Sequence, residues 1–166
     1  MDKDVCAIRL PADDRTLRIL SDLFVQEHIF PVLDKRVKTY FGAHSLFRNI
    51  ESGFVRVYGA FYKEKLFGVC FGHLVENSSD FCTHLAFLRH TKVFSGCAAC
   101  SDVMVQEYAS EGVVIENIVG YIPDYNKAAL SFARRYGCED LGIDLTKTII
   151  NDRYVIPCRV MKKKLR

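Results

Sequence analysis

The chain has 166 residues, 49% of them hydrophobic and 26% charged, with a formal net charge of +3. Such a length supports one sizeable core in a single domain over residues 1–166; ordinary Gly and Pro content without repeats excludes a fibrous or disordered class. The small charge gives no ground for a nucleic-acid partner, and the apolar runs are far too short to span a bilayer.

Met1-Asp2-Lys3-Asp4 lacks the apolar segment and cleavage site of a secreted protein, so a cytoplasmic location is expected. Seven cysteines, an odd number, sit in apolar segments such as Val69-Cys70-Phe71 and Phe81-Cys82-Thr83 and are expected to be free thiols buried as small hydrophobes. Val5 to Leu10 reads as a strand. Pro11-Ala12-Asp13-Asp14 then opens a helix carrying Leu17, Leu20, Leu23 and Phe24 at helical spacing. A second helix follows Pro31, from Val32 to Phe47, and stops at Glu51-Ser52-Gly53. Phe54 to Tyr62 and Leu66 to His73, joined at Lys63-Glu64-Lys65, have the composition of a hairpin, and Phe81 to Leu88 adds a fourth strand. A helix is predicted beyond Gly96 to about Glu111, a strand over Val113 to Ile122, a helix to Tyr136 with Gly137 at its end, and a closing strand pair at Leu141 to Ile150 and Tyr154 to Met161. The basic run Lys162-Lys163-Lys164-Leu165-Arg166 reads as a solvated end. The class is α/β (α+β), with a largely antiparallel sheet in the order β-α-α-β-β-β-α-β-α-β-β.

Two segments carry chemistry. His90 to Ala98 is a strand exit running into a helix with small residues, which suits anion binding: unpartnered N–H groups at a helix start converge, and small residues let a phosphate approach. The bland reading is a tight turn at Gly96. The second segment, Asn126 to Cys138, places Asn126 at an N-cap and Ala129, Phe132 and Tyr136 on one helical face.

Asn126, Ala129, Phe132 and Gly137 match the helix pattern N-x-x-A-x-x-hydrophobic-Y-x-x-x-G-F of the GNAT superfamily of acyl-CoA N-acyltransferases, which the chain resembles over nearly its whole length. Gly96 and Ala98 align with the last two positions of that family's R/Q-x-x-G-x-G/A motif. The resemblance implies a mixed sheet of about seven strands flanked by about four helices, with acetyl-CoA as cofactor. It also implies a cofactor site at Phe87, Leu88, Phe94, Ser95, Gly96, Cys97, Ala98 and Asn126. The sequence departs from the pattern at Val93, where the family has Arg or Gln, with Lys92 the nearest substitute charge. It departs again at Ala133, where many members have a Tyr that protonates the leaving thiolate.

Transfer of an acetyl group to an amine needs a base for the amine's proton and N–H donors for the thioester carbonyl. On the fourth strand Cys82, His84, Ala86 and Leu88 share one face, and Phe81, Thr83, Leu85 and Phe87 the other. The resemblance places the base on this strand, where His84 is the candidate; its bland reading is a hydrogen-bonded structural histidine. Glu116 and Asn117 on the fifth strand are the other catalytic candidates, and His73 is a weaker one. Cys97-Ala98-Ala99-Cys100 has metal-like spacing, and His84 or His90 could add ligands. No second pair accompanies it, so no metal is expected. Cys97, near a helix start, is a candidate reactive thiol.

Three functions compete. The first is an acetyl-CoA-dependent N-acetyltransferase acting on a small-molecule or protein amine. The second is a GNAT-like binding or assembly module that has lost catalysis, as the changes at Val93 and Ala133 would allow. Small divergent proteins of this look also occur in phage and prophage genomes, which would suit the accessory role. The third, an RNA-binding domain using Arg134, Arg135 and the basic tail, lacks a stacking motif beside the charges. Two-fold pairing is common in the family, so a homodimer is an expected partner state, and residues 15–50 name no acceptor.

Overall fold

A computed structural model of the chain describes residues 4–24, 47–150 and 155–165. One seven-stranded sheet runs in the order β1-β2-β3-β4-β5-β7-β6. Its strands are β1 (Val5–Arg9), β2 (Arg56–Tyr62), β3 (Lys65–Leu74), β4 (Asp80–Phe87), β5 (Asn117–Pro123), β6 (Glu139–Ile150) and β7 (Val155–Lys164). The described residues also form helices α1 (Asp14–Phe24), α2 (Val93–Ser110) and α3 (Lys127–Arg135), and a helical turn at 47–51. The α+β order and largely antiparallel sheet are those expected. The predicted helix from Val32 lies outside the described residues up to Phe47.

Each face of the sheet is covered because the strands alternate. Asp13 starts α1 by accepting the Thr16 N–H at 2.8 Å, and Leu20 and Leu23 then join Val57, Val69, Phe71 and Ala86 in one buried cluster. On the opposite face α2 presents Cys97, Cys100, Met104 and Tyr108 to Tyr58, Ala60, Cys70, Phe81 and Ile118. The helix α3 follows on that same face, with Leu130 and Ala133 packed on Met161. The alternation read in β4 is therefore real: Ala86 lies with α1, and Phe81 with α2. Among the described residues no helix is long and apolar enough to cross a membrane.

Asn126 closes the first turn of α3 by accepting the Ala129 N–H at 3.1 Å, and Gly137, at φ +89°, ends the helix in a conformation that side chains resist. Asn126→Ala is expected to cost about 1 kcal/mol, the usual worth of an N-cap, visible as a lower denaturation midpoint at unchanged slope.

Three expectations need correction. The helix predicted to begin beyond Gly96 begins at Val93, because the Gly96 N–H already donates to Lys92 O at 2.9 Å. The basic run is no solvated end: it completes β7, with Lys162 Nζ 3.0 Å from Asp80 Oδ2 and Lys163 Nζ 3.6 Å from the Tyr136 ring centroid. Cys97, proposed as a reactive thiol, is 2% exposed inside the core. There it adjoins Cys70, whose thiol is held well above its ordinary pKa by hydrogen bonds to Cys100 and Cys97 and by burial. Among the described residues no group of His, Cys, Asp or Glu could hold a metal ion.

Candidate functional site

Strands β4 and β5 run parallel, as their connection through α2 requires. They pair at Asp80↔Asn117, Phe81↔Ile118 and Cys82↔Val119, and no rung joins them beyond Cys82. Both strands continue, β4 to Phe87 and β5 to Pro123. Each simply stays with its outer neighbour, β4 with β3 as far as Phe87↔Gly68 and β5 with β7 as far as Pro123↔Cys158. A V-shaped gap opens between them.

The direction of the β4 amides follows from their neighbours. Leu88 N–H donates to Phe67 O at 2.8 Å and Asp80 O accepts from Val75 N–H at 2.8 Å, so even-numbered residues address β3. Amide directions alternate along a strand, so Leu85 and Phe87 turn their N–H groups toward the gap, where β5 offers no rung. The Leu88 amide is committed to β3, and its side chain packs in the α1 cluster.

At the far end of β4 the chain turns through Thr91 and Lys92 into α2. His90 Nδ1 accepts the Lys92 N–H at 3.1 Å, which requires that nitrogen to carry no proton. The amides of Val93, Phe94 and Ser95, the first turn of an 18-residue helix without a side-chain cap, have no acceptor among the described residues. Those of Gly96, Cys97 and Ala98 are spent inside the helix. Gly96 is small for a different reason: a Cβ there would lie 2.7 Å from Phe67 Cζ and 2.9 Å from Phe87 Cε1. The side chain of Val93 packs against the core.

A cation from α3 lies near this helix start, in a position that sequence order conceals. Phe94 stacks on Phe132 of α3 at 4.6 Å, and the Arg135 guanidinium lies over the Phe94 ring at 4.9 Å. Arg135 thus stands beside the first turn of α2. A helical count onward from Phe132, combined with the motif alignment of Phe94, was the only signal of this. Tyr136 braces the same helix pair through Ser101 Oγ at 3.1 Å, and burial pushes its hydroxyl up to about 12. Ala133 is buried against β7, so the catalytic tyrosine of the family pattern has no equivalent there.

His84 is exposed on the α1 side of the gap, stacked on Phe71 at 5.3 Å, with Nε2 4.0 Å from Cys82 Sγ. Burial pushes that thiol up to about 11. His73, opposite Cys82, stacks on Phe54 at 4.9 Å, and burial, with the Lys147 charge, holds its pKa below the ordinary value. The remaining two candidates stand elsewhere. Asn117 Nδ2 donates to Asp80 Oδ1 at 2.7 Å and Glu116 accepts from Ser79 Oγ at 3.0 Å, both at the paired end of the strands. The structure brings His84, Leu85 and Phe87 to the gap and leaves Glu116 and Asn117 behind its closed end. Residues not singled out from the sequence, Tyr121 and Lys147, complete the α1 side: Tyr121 follows Val119 on the face of Cys82, and Lys147 Nζ lies 5.2 Å from its ring centroid.

No protein-family model matches this sequence, and no curated protein does. Solved structures do match. The spermidine N-acetyltransferase of Vibrio cholerae in complex with CoA and spermine aligns with a TM-score of 0.74 at 13% identity, over 98% of this chain and 96% of that one. The microcin C7 self-immunity acetyltransferase MccE, in complex with acetyl-CoA and AMP, aligns with a TM-score of 0.71 at 14% identity, over 99% and 94%. An acetyltransferase of Salmonella typhimurium that modifies the N-terminal serine of a 50S ribosomal subunit protein gives 0.71 at 14%, over 97% and 96%. With its parted parallel strands and its helix start at the end of β4, the chain has the fold of these acetyltransferases, the GNAT fold.

Proposed function

We propose that the chain is an N-acetyltransferase that takes an acetyl group from acetyl-CoA and transfers it to an amine by direct attack. The observation that carries this reading is the parting of β4 from β5 beyond Cys82, which turns the Leu85 and Phe87 N–H groups toward a gap crossed by no β4–β5 rung. Such donors, fixed by the fold, stabilise the charge that develops on a thioester oxygen without having to reorganise. Acetyl-CoA, when bound, supplies the thioester. The first-turn amides Val93, Phe94 and Ser95, with Arg135 beside them, would hold its diphosphate.

His84 takes the amine proton. It stands on the face of β4 turned away from α2 and α3, so that the amine enters from the α1 side and the cofactor from the other. Phe87 also lines the cofactor side, where its ring covers Gly68 and meets Phe67 at 5.6 Å. Asn126 contributes by fixing the start of α3, which carries Arg135.

The reading is tested by following thiol release from acetyl-CoA across a panel of amines, with binding measured in parallel by thermal shift. Amine-dependent thiol release that falls at least tenfold in His84→Ala is the expected result. Binding without turnover on any amine would contradict it and leave a binding module. Arg135→Ala is expected to raise the acetyl-CoA Kd about tenfold in a calorimetric titration, with a shallower salt dependence, as loss of one charge-assisted contact to a phosphate implies.

A further inference from the structure

Facing β7, β6 carries three extra residues between Asp144↔Cys158 and Thr148↔Pro157, so that 145–147 bulge from the ladder. Asp144 shapes this bulge by accepting both the Thr146 N–H at 2.8 Å and its hydroxyl at 2.7 Å. The bulge delivers Lys147 to Tyr121 at the mouth of the gap. Its field reaches the two groups that flank the gap on β3 and β4, His73 and Cys82. Among the described residues no carboxylate lies within salt-bridge distance of its ammonium; Asp144, bonded to Thr146, meets the Lys147 charge from farther off. Beside it stand Tyr121 and His73, the latter stacked on Phe54, and farther along β4 on the same face His84 is stacked on Phe71.

A cation in no salt bridge among the described residues, at the side from which the amine enters, has two consequences. It repels a polycationic acceptor, and it attracts an anionic group carried by an acceptor while lowering the pKa of the attacking amine toward its neutral, nucleophilic form. The aromatic surfaces suit a flat or apolar body between the two charged ends.

Resting on the transferase reading, we propose that the acceptor is an amine bearing an anionic group, a carboxylate or a phosphate, which Lys147 binds. The spermidine acceptor of one structural relative would be refused here.

The test uses the full chain with acetyl-CoA and two matched pairs, phenylalanine against phenylalaninamide and phosphoethanolamine against ethanolamine, with spermidine as the polycation. The expected result is a kcat/KM about tenfold higher for the anionic member of at least one pair; which pair responds distinguishes carboxylate from phosphate. Lys147→Gln should abolish the preference, while Lys65→Gln, which removes an equal charge at the β2–β3 turn, should keep it. Equal or better use of phenylalaninamide, ethanolamine or spermidine, or a preference that survives Lys147→Gln, overturns the proposal while leaving a transferase. If the CoA-bound protein turns over none of the five, saturation-transfer NMR of the same amines decides. Selective binding of an anionic member that is lost in Lys147→Gln supports the assignment, and its absence overturns it. Failure to bind acetyl-CoA at all overturns both readings.

Discussion

A Gly72→Ala variant is expected to lose about 3 kcal/mol or more of stability, with its melting temperature lowered by about 6–12 °C. An added Cβ would lie 1.9 Å from the carbonyl oxygen of Cys82 and 2.7 Å from Phe81 Cε1. The first of these is backbone, in the last rung before β4 leaves β5, so it cannot rotate aside. Relief requires β4 to shift against β3, which spoils the ladder on one side and the gap on the other. Gly59→Ala is the natural comparison, because its nearest neighbour is Leu66 Cδ1 at 2.9 Å, a side-chain end that can give way. It should cost about 1 kcal/mol. Thermal denaturation followed by circular dichroism checks both. A loss for Gly72→Ala no larger than that for Gly59→Ala would refute the close β3–β4 approach.

Leu85→Pro separates catalysis from folding. In the middle of a sheet a proline removes a ladder hydrogen bond, but the Leu85 N–H points to the side where β4 has no partner. His84 before it is already extended, as a residue preceding proline must be. Stability should therefore fall by about 1 kcal/mol at most, whereas turnover should fall by about two to three orders of magnitude, the usual effect of deleting one oxyanion donor. Steady-state thiol release and a denaturant curve on the same preparation read the two quantities. Retained turnover would assign the oxyanion to another amide, Phe87 being the alternative.

Much of this arrangement is legible in the sequence because it depends on period and punctuation. Alternation in Asp80 to Phe87 gives the two faces of β4, and Lys63-Glu64, both at positive φ, form the two-residue hairpin turn where the strand composition breaks. Asn126 and Gly137 bound α3 as cap residues do. What was not legible depends on packing across the sheet. Gly96 reads as a turn signal, yet its smallness serves Phe67 and Phe87, and α2 begins at Val93 without a capping side chain to announce it. The lysines at 162–164 read as a tail, yet Met161 and Asp80 anchor that segment as a strand between β5 and β6. Lys147 and Arg135 gain their positions from a β-bulge and an aromatic stack, and neither has a local signature.

The same limit applies to Glu116 and Asn117. Polar residues entering a strand beside a gap look catalytic, but the rung Asp80↔Asn117 places them where the strands are still joined. Only the number of paired residues before the strands part decides this, and that number is set by how far β4 and β5 follow their outer neighbours.

The most direct test of the central claim is a crystal structure of the chain with acetyl-CoA. Diphosphate oxygens are expected within hydrogen-bond distance of the Val93, Phe94 and Ser95 amides, and the thioester carbonyl turned toward the Leu85 N–H in the gap between β4 and β5. A cofactor bound elsewhere, or a gap that stays empty at millimolar acetyl-CoA, would contradict it.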